Sequence, residues 1–387
     1  MENNLPINSK ILKWARISAG YTKEQVAERI NKSLKIIEDW EEGKYTPTYS
    51  QLETLAYDIY KRPLVVFFFE NEPQEENLKK EFRTLPESEI ESFSPEFLKF
   101  IRAARDKQFV LRELFPQGNP SKTFLLKNFP FNKSYPDVAA KSLRDFIGLS
   151  EDMQKKLKSS EEAYKVYRSI LAEYGIFIFQ YPIDKVEARG FCLYDAEFPV
   201  IVVSSKDETN GKIFTVFHEL CHLISRTSSI TKSEEYLNFR NKESRIIEVF
   251  CNKFAADVLV PADLLRNLIL VRQNLNKKWD LERLQQIAKK FKVSVEVILR
   301  RLLDLKLASK EEYEAFRTNL VNLPPKKKPD GGPTYSVTTV SQLGPSFIGT
   351  IFSNMYEGKI TSFQASEYLN VKINNLHKIE AEVFRHS

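Results

Sequence analysis

Histidine and glutamate side chains that can do metal chemistry lie together at one point of the sequence, His-Glu-Leu-Cys-His at residues 218–222. Residues four apart on a helix share one face, so His218 and His222 can bind one metal ion with Glu219 beside them. This spacing is typical of a zinc site that carries its own base. The alternative is a pair of histidines satisfied inside a core helix. The chain has only four histidines, and two fall here, so we favour bound Zn²⁺.

A catalytic zinc site needs three protein ligands and one open position for water. The other two histidines, His377 and His386, come much later in the sequence than residues 218–222, so we expect the third ligand to be a carboxylate. The next strong helix predicted, residues 244–260, is mostly apolar but carries Glu248, with Asn252 four residues further on the same face. A carboxylate on such a helix needs a partner, because burying it unpaired is costly. Zinc is one such partner.

The elements that position these residues are a helix and three short strands. Apolar residues surround the motif and predict a buried helix, which would hold the metal ligands still. Strands are predicted at residues 176–181, 190–194 and 199–204, and together they indicate a small sheet packed on the motif helix. We take strand 199–204 as a candidate edge that could pair with an extended peptide. An ordinary core strand is the alternative.

Length and composition set the broad class of protein. A chain of 387 residues suggests two or three domains, and a net charge of +6 permits nucleic-acid contact without requiring it. Cys192, Cys221 and Cys251 are an odd number without a CxxC pair, which favours a reducing compartment. The longest apolar run, Leu64–Phe69, is too short to cross a membrane, and no secretory signal is evident. We therefore expect a cytoplasmic protein without a membrane partner.

The first 70 residues read as short amphipathic helices separated by caps and turns. Thr22 caps one helix and Ser33 caps the next, which gives a helix-turn-helix arrangement. If this segment binds DNA, then Lys32, Ser33 and Lys35 are the expected contacts. Basic and acidic residues nearly balance over residues 1–72, so the attraction to phosphates would be weak. A protein-docking or dimerising domain with the same fold stays as the alternative.

Two resemblances to known families rest on these segments. The N-terminal region resembles the Xre/lambda-repressor type of domain, and that resemblance implies an ion pair between Arg16 and Glu41. The residues that carry it are Arg16, Thr22, Ala27, Ile37–Glu41, Gly43, Pro47, Leu52 and Ala56. Residues 218–222, followed by Glu-x-x-x-Asn-x-Phe-Ala-Ala-x-x-Leu-x-Pro at 248–261, resemble the ImmA/IrrE family of metallopeptidases.

The second resemblance implies a fold, a site and an activity. We expect an α+β fold with an N-terminal all-α helix-turn-helix domain, a zincin-like peptidase domain and a mostly helical C-terminal part. His218, His222 and Glu248 would bind Zn²⁺, Glu219 would be the catalytic base, and Asn252 would lie beside the ligands. Tyr236 and Arg240 are candidates to stabilise an oxyanion, and nothing in their spacing selects either. Cys221 is expected to face the core.

The implied function is a zinc-dependent endopeptidase that regulates transcription by cleaving a partner protein, such as an Xre-type repressor or a toxin–antitoxin partner. DNA is a further partner through the N-terminal domain. The alternative is a DNA-binding transcriptional regulator, or an antitoxin-like protein, whose zincin domain serves sensing or docking. The sequence selects neither a substrate nor an oligomeric state.

The expected domains are 1–72, helix-turn-helix; 73–150, a helical connector; 151–320, the peptidase; and 321–387, a linker with a small helical appendix. The linker is indicated by the Pro, Lys and Gly residues of 323–333. Residues 281–303 form a second helix-turn-helix-like pattern with Ser294 as a cap. We interpret this pattern as a helical cover over the peptidase core, with basic DNA contact as the alternative.

Overall fold

The computed structural model describes residues 6–73, 81–82, 90, 92–231, 242–274, 278–321 and 332–385. Two compact units are found, Met1–Ala103 and Ala104–Ser387. None of the helices in the described ranges is long and apolar enough to cross a membrane. The predicted domain boundaries at 72, 150 and 320 stay predictions.

The first unit is built from short helices around a small core. Its helices are α1 (Ser9–Ser18), α2 (Lys23–Arg29), α3 (Leu34–Glu41) and α4 (Tyr49–Glu53), followed by a π-helical turn at Thr54–Tyr60 and a 3₁₀ turn at Leu64–Phe68. The apolar side chains of α1, α2 and α3 and of the segment up to residue 67 form this core. The helix-turn-helix predicted from the sequence is confirmed.

Caps and one ion pair explain why this unit folds as it does. Thr22 begins α2 with a reciprocal capping box to Gln25, whereas Ser33 begins α3 without a side-chain cap bond. Arg16 donates from Nε to Oε1 of Glu41 over 2.6 Å, and both side chains are buried. The predicted ion pair between α1 and α3 is therefore present.

Within residues 92–176, which the structure describes throughout, five helices precede the sheet: α5 (Pro95–Leu114), α6 (Leu125–Asn128), α7 (Pro136–Phe146), α8 (Glu151–Lys156) and α9 (Ser160–Glu173). In the second unit, Gln108 of α5 donates to the carbonyls of Leu193 (3.2 Å) and Phe198 (2.9 Å), which fixes the loop between two strands. Apolar side chains from residues 124–149 pack in the same core as the sheet and the motif helix. This part of the expected connector therefore contributes to the core of the second unit.

The sheet has four strands in the described residues, β1 (Phe177–Tyr181), β2 (Gly190–Leu193), β3 (Val200–Ser204) and β4 (Ser229–Thr231). Their order is β1-β3-β2-β4, with β1 parallel to β3 and the other pairs antiparallel. The three predicted strands are confirmed, but the prediction that residues 199–204 form an edge is wrong. β3 is paired on both sides and is fully buried, and the outer strands are β1 and β4.

Two long helices carry the candidate site. α10 (Thr209–Ile224) packs on β2, β3 and β4, and α11 (Lys242–Leu259) packs on α10 and α7. Three buried side chains hold the end of α11 by donating to its last carbonyls. These bonds run from Arg144 to Val258 (2.7 Å), from Gln154 to Leu259 (2.7 Å) and from Arg301 to Val260 (2.9 Å).

The remaining described elements are helical. They are α12 (Ala262–Arg266), α13 (Ile269–Arg272), α14 (Leu281–Phe291), α15 (Val295–Asp304), α16 (Lys310–Val321), α17 (Tyr335–Leu343), α18 (Pro345–Tyr356), α19 (Ser362–Leu369) and α20 (Leu376–Phe384), with a 3₁₀ turn at Ile373–Asn375. Ser294 caps α15, whose apolar residues lie in the main core, as expected of a helical cover. The fold is α+β with a mostly helical C-terminal part, as the sequence predicts.

The C-terminal helices cover the outer strand β1. Arg168 is buried and donates to the carbonyl of Ile178 in β1 (2.7 Å) and to the carbonyls of Ser341 (2.7 Å) and Gln342 (3.0 Å) at the end of α17. The ring of Phe347 packs edge-on against Phe179 at a centroid distance of 5.2 Å. Strand β1 is therefore tied to residues more than 150 positions later in the chain.

Candidate metal centre

The approach of α10 to the sheet depends on one glycine. A Cβ at Gly190 would lie 2.5 Å from the carbonyl oxygen of Val202 and 2.6 Å from the methyl group of Thr215. Any side chain at this position would push α10 away from β2. The glycine thus allows the motif helix to pack closely on the strands, and it fixes the height of the histidines above the sheet.

Three side chains that could bind one metal ion converge from the two packed helices. Nε2 of His218 lies 3.2 Å from Nε2 of His222 and 3.2 Å from Oε2 of Glu248, and Nε2 of His222 lies 3.6 Å from Oε1 of Glu248. All three side chains are buried. Among the residues that the structure describes, these three form the cluster of His, Cys, Asp or Glu side chains that could hold a metal ion.

The donor set fits a tetrahedral metal ion. Zinc binds imidazole nitrogen and carboxylate oxygen at about 2.0–2.2 Å, so two donors on one ion lie about 3.3 Å apart. The three distances of 3.2, 3.2 and 3.6 Å agree with this spacing. Two imidazoles and one carboxylate are also a donor set that zinc prefers in catalytic sites, where a fourth position stays open.

Electrostatics at the centre favour positive charge opposite the carboxylate. Burial opposes ionisation of Glu248, but His222 and His218 outweigh it and hold the pKa of Glu248 well below its usual range. Burial also opposes protonation of His222, but Cys251 and Glu248 outweigh it and raise the pKa of His222 well above its usual value. The raised pKa makes His222 the cation beside this carboxylate, which is 3% exposed, and a divalent metal ion bound by the neutral imidazoles would take its place.

Asn252 lies one turn after Glu248 and selects the free nitrogen of His218. Its Oδ1 is 2.9 Å from Nδ1 of His218, so Nδ1 carries the proton and donates to the amide oxygen. The lone pair of Nε2 then faces Glu248 and His222. Metal-binding histidines are commonly oriented in this way. The helix spacing indicated that Asn252 and Glu248 share one face, and the family resemblance implied that Asn252 lies beside the ligands.

The carboxylate of Glu219 lies against β4. The hydroxyl of Ser229 donates to Oε2 of Glu219 and the hydroxyl of Thr231 donates to Oε1, so each carboxylate oxygen is held by one side chain. Glu219 is fully buried. Sequence reasoning missed both hydroxyls, although residues two apart on a strand that follows the motif helix are a usable signal.

The cysteines lie in the core. Cys221, Cys192 and Cys251 are buried and free of disulfides, which is consistent with the prediction that Cys221 faces the core. Burial raises the pKa of the thiols of Cys192 and Cys251 well above the ordinary value. The thiol of Cys251 lies against His222 and Cys221.

The other predicted site residues lie elsewhere in the chain. Lys32, Ser33 and Lys35 are exposed at the beginning of α3, and Nζ of Lys35 lies 3.7 Å from Asp39. The predicted oxyanion candidates Tyr236 and Arg240 fall outside the described residues.

An HExxH helix that packs on a small mixed sheet, with a glutamate from the next helix beside both histidines, defines a metallopeptidase-like class of site. Comparison with known families agrees with this class. Residues 171–303 match the family described as the IrrE N-terminal-like domain, a peptidase family, and residues 12–56 match the family described as Helix-turn-helix. No curated protein matches the chain. The chain therefore combines an IrrE N-terminal-like peptidase domain with an N-terminal helix-turn-helix domain of the Xre type.

Proposed function

We propose that this protein is a zinc-dependent endopeptidase that regulates transcription by cleaving a partner protein. The observation that carries the proposal is the convergence of His218, His222 and Glu248 at tetrahedral spacing. The match of residues 171–303 to a peptidase family supports it independently.

The roles of the residues follow from their chemistry. Zn²⁺ held by His218, His222 and Glu248 would supply a Lewis acid and a water of lowered pKa. Glu219 takes the proton of the attacking water and passes it to the leaving amine. Ser229 and Thr231 hold the two oxygens of Glu219, so its carboxylate keeps one orientation during this transfer. Asn252 holds the ring of His218.

A protein substrate, such as an Xre-type repressor or a toxin–antitoxin partner, follows from the pairing of the two domains. The N-terminal helix-turn-helix could recognise DNA or the partner, and Lys32, Ser33 and Lys35 are the proposed DNA contacts. A regulator of this kind acts in the cytoplasm, where its partner and DNA are found.

The experiment that tests the proposal is co-expression with the product of any adjacent gene that encodes an Xre-type repressor. We expect the partner to be shortened by wild-type protein and to stay intact with Glu219→Gln. The Glu219→Gln variant should still bind zinc, because Glu219 is not one of the three clustered side chains. Metal analysis measures the bound zinc. Cleavage by a zinc-loaded Glu219→Gln variant would remove Glu219 from the role of base.

The second candidate is a DNA-binding regulator, or an antitoxin-like protein, whose zincin domain senses or docks. The helix-turn-helix match at residues 12–56 favours it. A salt-sensitive gel shift on specific DNA, with the partner left uncut, would select this function over the peptidase. Co-purification with a neighbouring toxin would point to the antitoxin-like role.

A further inference from the structure

The C-terminal helices α18, α19 and α20 repeat the local structure of α1, α2 and α3. Thr22 begins α2 with a capping box to Gln25, and Thr361 begins α19 with the same box to Gln364. Both helices are preceded by a helix that ends at a left-handed glycine. The two glycines are Gly20, with φ of 79°, and Gly358, with φ of 71°.

The turn after the capped helix is also the same in the two segments. Asn31 follows α2 with φ of 53°, and Asn370 follows α19 with φ of 54°. The left-handed region is uncommon outside glycine, so two asparagines at one position mark one type of turn. The amide of Lys32 donates to Ala27 over 2.9 Å, and the amide of Val371 donates to Ser366 over 2.9 Å.

The packing of the two segments differs. α19 and α20 both pack on α18, whereas in the first unit α1 and α2 both pack on α3. The helix-turn-helix family matches residues 12–56, and this second three-helix segment lies far outside that range. The likeness therefore comes from the hydrogen bonds and the turn, which the sequence alone did not indicate.

The two segments differ in the charge on the second helix of the motif. Alignment of the asparagine turns pairs Glu38 with His377 and Asp39 with Lys378. On α3 the acids pair with cations, because Lys23 lies 3.5 Å from Glu38.

Lys372 and Asn374 lie at the 3₁₀ turn before α20, His377 and Lys378 lie in the first turn of α20, and all four are exposed. Neither Lys372 nor Lys378 forms an ion pair with any residue that the structure describes. The nearby acid Glu380 accepts a hydrogen bond from the hydroxyl of Tyr356 instead. The outward face at residues 372–378 thus carries two lysines and no acid, with the exposed Ile373 between them, while α3 carries acids at two of the four aligned positions, Glu38 and Asp39.

We infer that α18–α20 is a second helix-turn-helix that binds double-stranded DNA, with the 372–378 face in the major groove. Lys372 and Lys378 contact phosphates, and Asn374 and His377 face the base edges. This binding site is separate from the metal centre and adds a second DNA contact to the proposed function.

A third segment, α14–α15, has a left-handed turn of the same kind, but its second helix is not free to bind DNA. Lys292 is left-handed between α14 and α15, and Ser294 caps α15. The second helix, however, has Val297, Ile298, Leu299 and Leu302 in the main core. A helix that is packed in this way cannot enter a groove, so its basic residues are part of a cover.

The test is binding of the full chain to a fluorescent, mixed-sequence DNA duplex, measured by anisotropy over a range of salt concentrations. The variant is Lys372→Gln with Lys378→Gln, and the matched control is Lys359→Gln with Lys310→Gln, two exposed lysines off the face. We expect the variant to bind the duplex about tenfold more weakly. The slope of log affinity against log salt concentration should fall in magnitude by about two. The control should bind as wild type.

Thermal unfolding of the variant should match wild type, because both lysines are exposed. A parallel Lys32→Gln with Lys35→Gln variant measures the share of the N-terminal motif. The inference is overturned if the C-terminal variant keeps the affinity and the salt dependence of wild type. It is also overturned if the wild-type protein fails to bind the duplex at low salt, or if the wild-type protein binds only single-stranded RNA. None of these outcomes depends on peptidase activity.

Discussion

Asn252 determines which nitrogen of His218 is free, and this role leads to a measurable effect. We expect Asn252→Ala to weaken zinc binding about ten- to a hundredfold, because the ring would lose the acceptor that fixes its tautomer and orientation. Asn252→Asp keeps an acceptor oxygen and serves as the control. Competition with a chromophoric chelator measures the affinity. Equal zinc affinity in Asn252→Ala would exclude this role.

The pair of His222 and Glu248 predicts a pH dependence for the metal-free protein. The pKa of His222 is raised from 6.5, so its contribution to stability is full below pH 6.5 and is lost as pH rises through the folded value. The pKa of Glu248 is lowered from 4.5, so its contribution is present above pH 4.5 and is lost as pH falls further. The pair therefore stabilises the metal-free protein most between these two values.

Thermal unfolding in the presence of a chelator checks this dependence. The Tm of the metal-free protein should fall as pH rises above 6.5, and Glu248→Gln should flatten the fall. A wild-type Tm that rises steadily over the same range would contradict the assignment.

At the scale of elements, the end of α11 depends on a buried ion pair. Arg301 pairs with Asp257 and also donates to the carbonyl of Val260. Arg301→Met should lower the free energy of unfolding by about 3–5 kcal/mol, because it leaves a buried carboxylate unpaired. Arg301→Met with Asp257→Leu should recover much of the loss. Denaturant unfolding measures both, and a double variant no more stable than the single one would argue against an unpaired charge as the cause.

Elements with strong local signals were predicted well. The predicted helix 244–260 is found at Lys242–Leu259, and three strands fall within a residue of their predicted ends. The order of strands in the sheet has no local signal, so the edge assignment of residues 199–204 was wrong. The missed strand β4 has only three residues, too few to show an alternating pattern.

The candidate site was also predictable in part from the sequence. Glu248 could be selected because a carboxylate on an apolar helix needs a partner, and the structure places it beside both histidines. The contacts of Glu219 with Ser229 and Thr231 depend on how β4 returns along the sheet, which residue types alone do not specify.

At the scale of the whole molecule, metal binding should stabilise the fold, because the three proposed ligands come from two helices of one core. At zinc concentrations about a hundred times the Kd, the gain is about 2.7 kcal/mol, which raises the Tm by roughly 5–10 °C. Calorimetry with and without a chelator measures the shift. His222→Ala, which lacks one ligand, should show no shift, and an equal shift in that variant would place the metal elsewhere.

The buried guanidinium of Arg168 also bears on how the catalytic region can be isolated. The peptidase match spans 171–303, yet the residue that binds β1 precedes it, and the carbonyls at 341 and 342 come after it. A fragment cut to the matched range would leave Phe177 and Phe179 without their aromatic neighbour and would expose an unpaired strand border to other chains. Such a fragment would tend to self-associate, so the C-terminal helices must be kept with the catalytic region for it to stay monomeric.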